Sequence, residues 1–480
     1  MRKLLFYILV CCGFTSMAQP VRLHPGNPHY FEYKDKPLVL IASGLHYGAV
    51  LNLDINYEEY LKTLDQYGFN LHREFIIPCY EWQPEDKWDQ EQTPLSPRPG
   101  KLLSPYARSS APGARDSLNR YDLDKWNQEY FDHLKDFCRK ADDRGIIVEI
   151  VMFTVLYGEG AWETNPLNTI NNIQGVGNGK YNDYTFIGDP LLLERQKQLV
   201  RKTVTELNEF DNVYFEICNE PYWAKGIPGG NPEIKEQHFL PEVNDWQAVL
   251  AGVIAETEQD LPKKHLIAQN LANTYYKIDT LCHPSVSVLN YHYAFPPNTV
   301  PDNYSINLPV CFDETANGCN APDRRIEAWA FLLAGGAVYN NLDWSFAIDD
   351  QTGRGRNPAG RRRSGVEVKQ QLSVLKHFMD TFDFIRAKPI EPGRIRNMPE
   401  KVLWYGLENK EVLTIYFLKQ TGIVIPKALL EISPGNYELT WIDPIDGSII
   451  RKIKIINKEN SLPLEFPDFP DDLLLSLKRI

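Results

Sequence analysis

Beyond its first residues the chain has no apolar run long enough to cross a bilayer as a helix, which excludes a polytopic membrane protein. It also lacks a basic stripe. With 51 Lys and Arg against 63 Asp and Glu, the formal net charge is -12, so no nucleic-acid surface is expected. Cysteine is sparse, eight in 480 residues, and two of these (Cys11 and Cys12) fall in the opening segment. The other six, Cys79, Cys138, Cys218, Cys282, Cys311 and Cys319, match no zinc-ligand spacing, so no metal and no cofactor are expected. In an oxidising compartment these six could pair. Cys218 and Cys311 lie inside apolar runs, where a buried thiol is the commoner outcome, and the pairing is left open.

The opening residues are expected to be an export signal and not part of the fold. Arg2 and Lys3 precede an apolar stretch from Leu4 to Phe14, and Ser16-Met17-Ala18 supplies small residues for cleavage after Ala18. Leu9-Val10-Cys11-Cys12 loosely resembles a lipoprotein signal, which gives the alternative of a lipid anchor at the outer membrane. Either way the expectation is an exported protein, periplasmic or secreted, without a membrane span.

What is present is apolar and aromatic: 43% hydrophobic and 12% aromatic residues, enough for a large core. Short β-rich runs alternate with helical stretches. The runs are PLVLIAS (37–43), FNLHREF (69–75), GIIVEIVMF (145–153), NVYFEICNE (212–220), HLIAQN (265–270), VSVLNYHY (286–293), LPVCFDE (308–314) and AVYNNLDW (337–344). Near-continuous apolar strands belong to a parallel sheet buried on both faces. Eight of them alternating with helical patterns predict an α/β fold, a (β/α)8 TIM barrel over residues 19–388. From about residue 390 the pattern changes to runs such as VLTIYFL and YELTWI, separated by turns at Pro434-Gly435-Asn436 and Asp446-Gly447. This predicts a smaller antiparallel β-sandwich over residues 389–480, with a linker at Lys388-Pro389 and an exposed Trp441.

In such barrels the chemistry sits where strands end. Several of the loops that follow are long and aromatic: 78–117 with Trp82 and Trp88, 156–190 with Tyr157, Trp162, Tyr181 and Tyr184, 221–246, and 346–365. Two runs finish alike, FEICNEP with Glu220 and LPVCFDET with Glu314. Glu220 closes the fourth strand and Glu314 the seventh, so both project into one mouth. A carboxylate pair flanking one atom is what cleavage of a glycosidic bond requires.

Asn219-Glu220-Pro221 on the fourth strand, with Glu314 on the seventh, resembles the clan of retaining (β/α)8 glycoside hydrolases that includes the cellulase-like family 5. The resemblance implies that Glu220 is the general acid/base, Glu314 the nucleophile, and Asn219 a contact for the sugar 2-hydroxyl. It further implies that Arg73 supports the nucleophile and that Trp344 floors the subsite before the cleaved bond. Tyr291-His292-Tyr293 would supply the histidine and tyrosine near the nucleophile, with either tyrosine open as its partner. Strand three departs from family 5 by offering Met152 and Phe153 where a histidine is usual. A looser likeness to apiosidase-like hydrolases with a C-terminal β domain rests on HPGNPHYFEYKDKPLVLIASGLHYG and GNYELTWIDPIDGSI. Both likenesses imply the two-glutamate mechanism on an oligo- or polysaccharide and differ in which substrate they imply.

Further candidates are His46, in SGLHYG after strand one, for lining the sugar pocket, and Tyr222-Trp223 for stacking on sugar faces. Glu149 and Glu216 are expected as core ion-pairing groups, and Asp313 as the substitute should Glu314 not be the nucleophile. The charged loop with Asp349, Asp350, Arg354, Arg356 and Arg361-Arg362-Arg363 is either solvated or a reader of acidic sugars. The competing function is a glycan-binding protein on an inactive hydrolase-like barrel.

Overall fold

The computed structural model describes residues 19–77, 94–224, 241–315, 321–355 and 365–480, apart from 421, 424, 426 and 427. The expected signal, Trp82, Trp88, Cys79, Cys319, Arg356 and Arg361-Arg362-Arg363 lie outside the described residues.

Eight parallel strands form the central sheet: β1 (Leu40–Gly44), β2 (Leu71–Phe75), β3 (Ile147–Thr154), β4 (Val213–Asn219), β5 (Ile267–Asn273), β6 (Val288–His292), β7 (Val310–Glu314) and β8 (Val338–Leu342). Their order, β1-β8-β7-β6-β5-β4-β3-β2, is that of a TIM barrel. Between β1 and β2 the ladder gives way to the side chain of Asn70. Its Oδ1 accepts from Ile41 N at 2.8 Å and its Nδ2 donates to Val39 O at 2.9 Å, so the seam is stitched by a buried carboxamide.

Helices α1 (Tyr57–Gln66), α2 (Gln128–Asp142), α3 (Pro190–Leu207), α4 (Pro241–Gln259), α5 (Ala321–Leu333) and α6 (Val366–Thr381) are the main crossover helices. Their starts are written locally. Asp189 caps α3 by accepting from the amides of Leu191 and Leu192 at 3.0 Å each, ahead of Pro190 at the first helical position. The alternation is incomplete, because residues 274–287 between β5 and β6 contain no helix. A small antiparallel sheet of 22–23, 31–33 and 36–38 leads into β1. Val21 N donates to Asp211 O just ahead of β4, which ties this sheet to the end of the barrel opposite the strand C-termini.

The C-terminal region is antiparallel, as its alternation predicts. One six-stranded sheet carries the strands at 402–408, 412–419, 435–442, 449–457 and 472–479, and a three-stranded sheet holds 395–396, 428–431 and 461–464. Lys388-Pro389, expected as linker, is the edge strand of the larger sheet and pairs with Leu407 and Glu408. Trp441 is not exposed. It is fully buried between the sheets, with its ring 5.1 Å from Phe466 and 6.1 Å from Phe417, because its strand position faces inward. Arg325 on α5 clamps the region to the barrel: Nε and Nη2 reach the Asp472 carboxylate at 2.8 and 2.9 Å, and Tyr416 donates to Asp472 Oδ2 at 2.8 Å. The Tyr416 ring stacks on Trp329 at 6.0 Å.

Cys138, Cys218 and Cys311 are buried free thiols, Cys282 is partly buried and free, and burial pushes all four thiols up. No described helix is long and apolar enough to cross a membrane.

Candidate active site

The mouth at the strand C-termini is built on strained backbone. Tyr47 after β1, Glu220 after β4, Thr274 after β5 and Tyr293 after β6 all have positive φ, between 45° and 66°. Non-glycine residues pay conformational energy for that region, and such positions cluster at functional sites. Gly48, next to Tyr47, is needed for space, since a Cβ there would lie 2.4 Å from the Pro94 carbonyl oxygen. Glu74 on β2 holds this turn by accepting from the amides of Ala49 at 3.1 Å and Val50 at 3.0 Å.

Glu220 and Glu314 face each other, with carboxylate oxygens within 4.8 Å and each residue only 6% exposed. Glu314 is surrounded by donors. Tyr47 donates to Oε2 at 2.8 Å, Arg73 Nη1 to Oε2 at 3.1 Å, and Tyr293 to Oε1 at 3.2 Å. Glu220 accepts from Tyr157 at Oε2, 2.6 Å away, while its Oε1 lies 3.0 Å from His292 Nδ1. The same His292 nitrogen is 3.6 Å from Glu314 Oε1, so the ring bridges the pair. Burial works against a charge on His292, yet Glu314, Asp313 and Glu220 together hold it well above the usual imidazole range. His292 Nε2 lies 2.6 Å from the Asn270 carboxamide. With its oxygen turned to the ring, Asn270 accepts the Nε2–H, and its buried Oδ1 gains the partner it otherwise lacks.

Asn219 is fixed from three sides. Its Oδ1 accepts from Arg73 Nη2 at 3.0 Å, and its Nδ2 donates to Thr154 Oγ1 at 3.1 Å and Tyr157 Oη at 3.0 Å. Trp344 and His46 meet edge to face at 4.6 Å beside Tyr47. Tyr222 gives its hydroxyl to Asn273 Oδ1 at 2.7 Å, and its ring lies 6.0 Å from Trp223, with both side chains nearly buried. Tyr291 does not join the others. Strand alternation turns it away from His292, and its hydroxyl donates to Tyr276 O at 3.0 Å. Of the two tyrosines flanking His292, Tyr293, one residue past β6, is the one that reaches Glu314.

Beneath the pair lies a fully buried charge cluster. Arg73 Nε is 3.3 Å from Glu216 Oε2, 3.1 Å from Asp313 Oδ2 and 3.7 Å from Glu149 Oε2. Asn290 Nδ2 donates to Glu149 at 2.6 Å and Glu216 at 2.7 Å. Oxygens of the three acids approach closely enough for a cation, and the Arg73 guanidinium is the cation among them. One arginine cannot neutralise them all. Burial pushes Glu216 well up and Glu149 up to about 7, so protons complete the balance. Burial also opposes ionisation of Asp313, but Arg73 and His292 prevail and hold it below its ordinary value. Asp313 therefore faces this cluster and not the mouth. Glu149 and Glu216 belong to one network with Arg73, larger than a simple ion pair.

Tyr47 and Tyr157 are the two contacts that sequence reasoning did not place at the carboxylates. Tyr47 adjoins His46 in the same SGLHYG turn, a usable signal. For Tyr157, only the aromatic content of its loop was visible.

This arrangement defines a (β/α)8 barrel with a C-terminal β domain and a paired-glutamate mouth, and solved structures share that fold. One, from Bacteroides vulgatus ATCC 8482 and provisionally assigned as a glycoside hydrolase, aligns over 96% of this chain and 83% of its own, with TM-score 0.62 at 14% identity. A second glycoside hydrolase aligns over 96% and 97%, with TM-score 0.60 at 13% identity. A third, a glycoside hydrolase family 5 protein from the same Bacteroides vulgatus strain, aligns over 96% and 93%, with TM-score 0.59 at 14% identity. Residues 102–216, from the β2–β3 connection into β4, match a family described as a domain of unknown function, DUF6298. No curated protein matches the chain.

Proposed function

We propose that the protein is a retaining glycoside hydrolase that cleaves a glycosidic bond in a plant or microbial oligo- or polysaccharide. The observation that carries this reading is that one oxygen of Glu220 and one of Glu314 lie within 4.8 Å of each other across the barrel mouth, bridged by His292 Nδ1 at 3.0 and 3.6 Å. Retaining enzymes hold their two carboxyl groups about 5–5.5 Å apart, whereas inverting ones leave about 6.5–9.5 Å for a water.

Glu314 is the nucleophile, and three donors hold its carboxylate in place. Oε2 takes two of them, Tyr47 and Arg73, which leaves Oε1 as the attacking oxygen. As Oε1 bonds to the anomeric carbon, the bond to the leaving oxygen breaks, and that oxygen takes the proton of Glu220. Water then attacks the anomeric carbon, Glu220 takes its proton, and Glu314 departs as carboxylate. His292, cationic beside both carboxyl groups, balances the charge of Glu314 before the glycosyl-enzyme forms and that of Glu220 once its proton has left. In this reading Asn219 contacts the sugar hydroxyl beside the cleaved bond through Oδ1, and Trp344 with His46 forms an aromatic wall beside the mouth. The opening residues support export, which places the substrate outside the cytoplasm; a mature chain starting at Gln19 would establish cleavage of the signal.

The test is digestion of a glycan panel with product sizing, followed by NMR of the newly formed anomer. Net retention is expected. An inverted product would sink the mechanism, and release of no reducing sugar would favour the glycan-binding alternative.

A further inference from the structure

We infer that Tyr157 is a positioning residue for Glu220, one that sets the pH at which this carboxylate holds its proton. The inference rests on reading Glu220 as the acid/base. Four observations carry it. Strand three sends no ionisable side chain to the mouth: Met152 and Phe153 are buried, and Thr154 is engaged with Asn219. Tyr157, three residues past the strand, reaches back instead and places its hydroxyl 2.6 Å from Glu220 Oε2. The Tyr157 hydroxyl oxygen accepts from Asn219 Nδ2 at 3.0 Å, so the phenol proton is directed toward Glu220. Finally, Glu220 is almost enclosed and its other partner His292 is fully buried, whereas Tyr157 is 51% exposed.

Among the described residues the groups facing Glu220 are few. His292 on β6 touches Oε1, Glu314 on β7 opposes it, Tyr222 follows in its own turn, and Arg73 on β2 acts through Asn219. The backbone of Glu220 is held in the left-handed region and followed by Pro221, which fixes the point from which its side chain leaves the strand end. Tyr157 thus stabilises the ionised form that serves as base in the second step. A phenol that donates to the carboxylate must turn its hydrogen away to accept from the acid.

The experiment titrates Glu220 directly, by infrared difference spectroscopy of the carboxyl band, with Glu220→Gln assigning that band. In Tyr157→Phe the midpoint is expected to rise by about one pH unit, the size of one hydrogen bond to a charged group. Replacing Tyr157 with difluorotyrosine, a stronger donor of nearly the same shape, is expected to lower it. A midpoint unmoved in both proteins overturns the inference, because a merely structural role would leave it in place. Should Tyr157→Phe fail to fold, the difluorotyrosine protein decides alone. In parallel, the alkaline limb of kcat/KM on a panel of nitrophenyl glycosides should follow the midpoint. If the unsubstituted protein cleaves none of them, the hydrolase reading is what fails, and the titration still decides the role of Tyr157.

Discussion

Glu149→Gln should make the protein more resistant to alkaline pH while leaving its fold unchanged. Glu149 sits fully buried among Arg73, Glu216, Asp313 and Asn290, and burial, with the Asp313 charge, pushes it from its ordinary 4.5 up to about 7. A raised folded-state value means that the folded protein keeps a proton which the unfolded chain gives up. Below pH 4.5 both states are protonated and stability is at its full level. Between 4.5 and about 7 stability falls by about 1.4 kcal/mol per pH unit, and above that window the loss is complete. The window spans about 2.5 units, so the buried carboxylate costs about 3 kcal/mol at pH 8. Glutamine keeps the shape, accepts the Asn290 hydrogen bond and never ionises. Unfolding of both proteins by denaturant from pH 4.5 to 8 should therefore give curves that nearly coincide in acid. They should then separate steadily, with the variant ahead by about 3 kcal/mol at the alkaline end. A difference independent of pH, or a variant less stable at pH 8, would show that Glu149 is not where the cluster keeps its proton.

Glu314→Gln should abolish turnover on whatever glycoside the panel identifies, with circular dichroism and melting unchanged; retention of most activity would transfer the nucleophile role to another carboxylate. Tyr47→Phe removes one donor from Glu314 Oε2 and should lower kcat/KM about tenfold to a hundredfold with the fold intact. Steady-state kinetics within a factor of about two of the unsubstituted protein would count against it. Arg325→Ala leaves Asp472 buried without its cation and should destabilise the protein by about 3–5 kcal/mol, seen as an earlier calorimetric transition. A transition that does not move would mean that the C-terminal sheets are held to α5 by the Trp329–Tyr416 packing alone.

Some of this was legible in the sequence because it depends on local order. Parallel strands buried on both faces must be apolar nearly throughout, so all eight appear as runs, and a strand-terminal Glu after Asn stands out against them. The crossover helices declare themselves by periodicity and by caps such as Asp189-Pro190. The switch to alternating strands near residue 390 likewise marks a change of architecture, although the backbone pairing that makes Lys388-Pro389 an edge strand was not visible.

What the linear pattern could not supply is direction. Whether a side chain at a strand end points into the mouth, into the barrel or outward depends on register and on the strained φ of the turn. Tyr291 and Tyr293 look interchangeable on paper, yet one faces Tyr276 and the other Glu314. Trp441 read as exposed because burial between two sheets is a property of both sheets. Glu149 and Glu216 lie far from Arg73 in the chain, and only barrel closure forces them around one guanidinium, where desolvation decides which of them keeps a proton. The sequence by itself determined the eight strands, the helices and the two glutamates. The tertiary structure alone decided the company those glutamates keep, Tyr47 and Tyr157 included, because that company is assembled from four other strand ends.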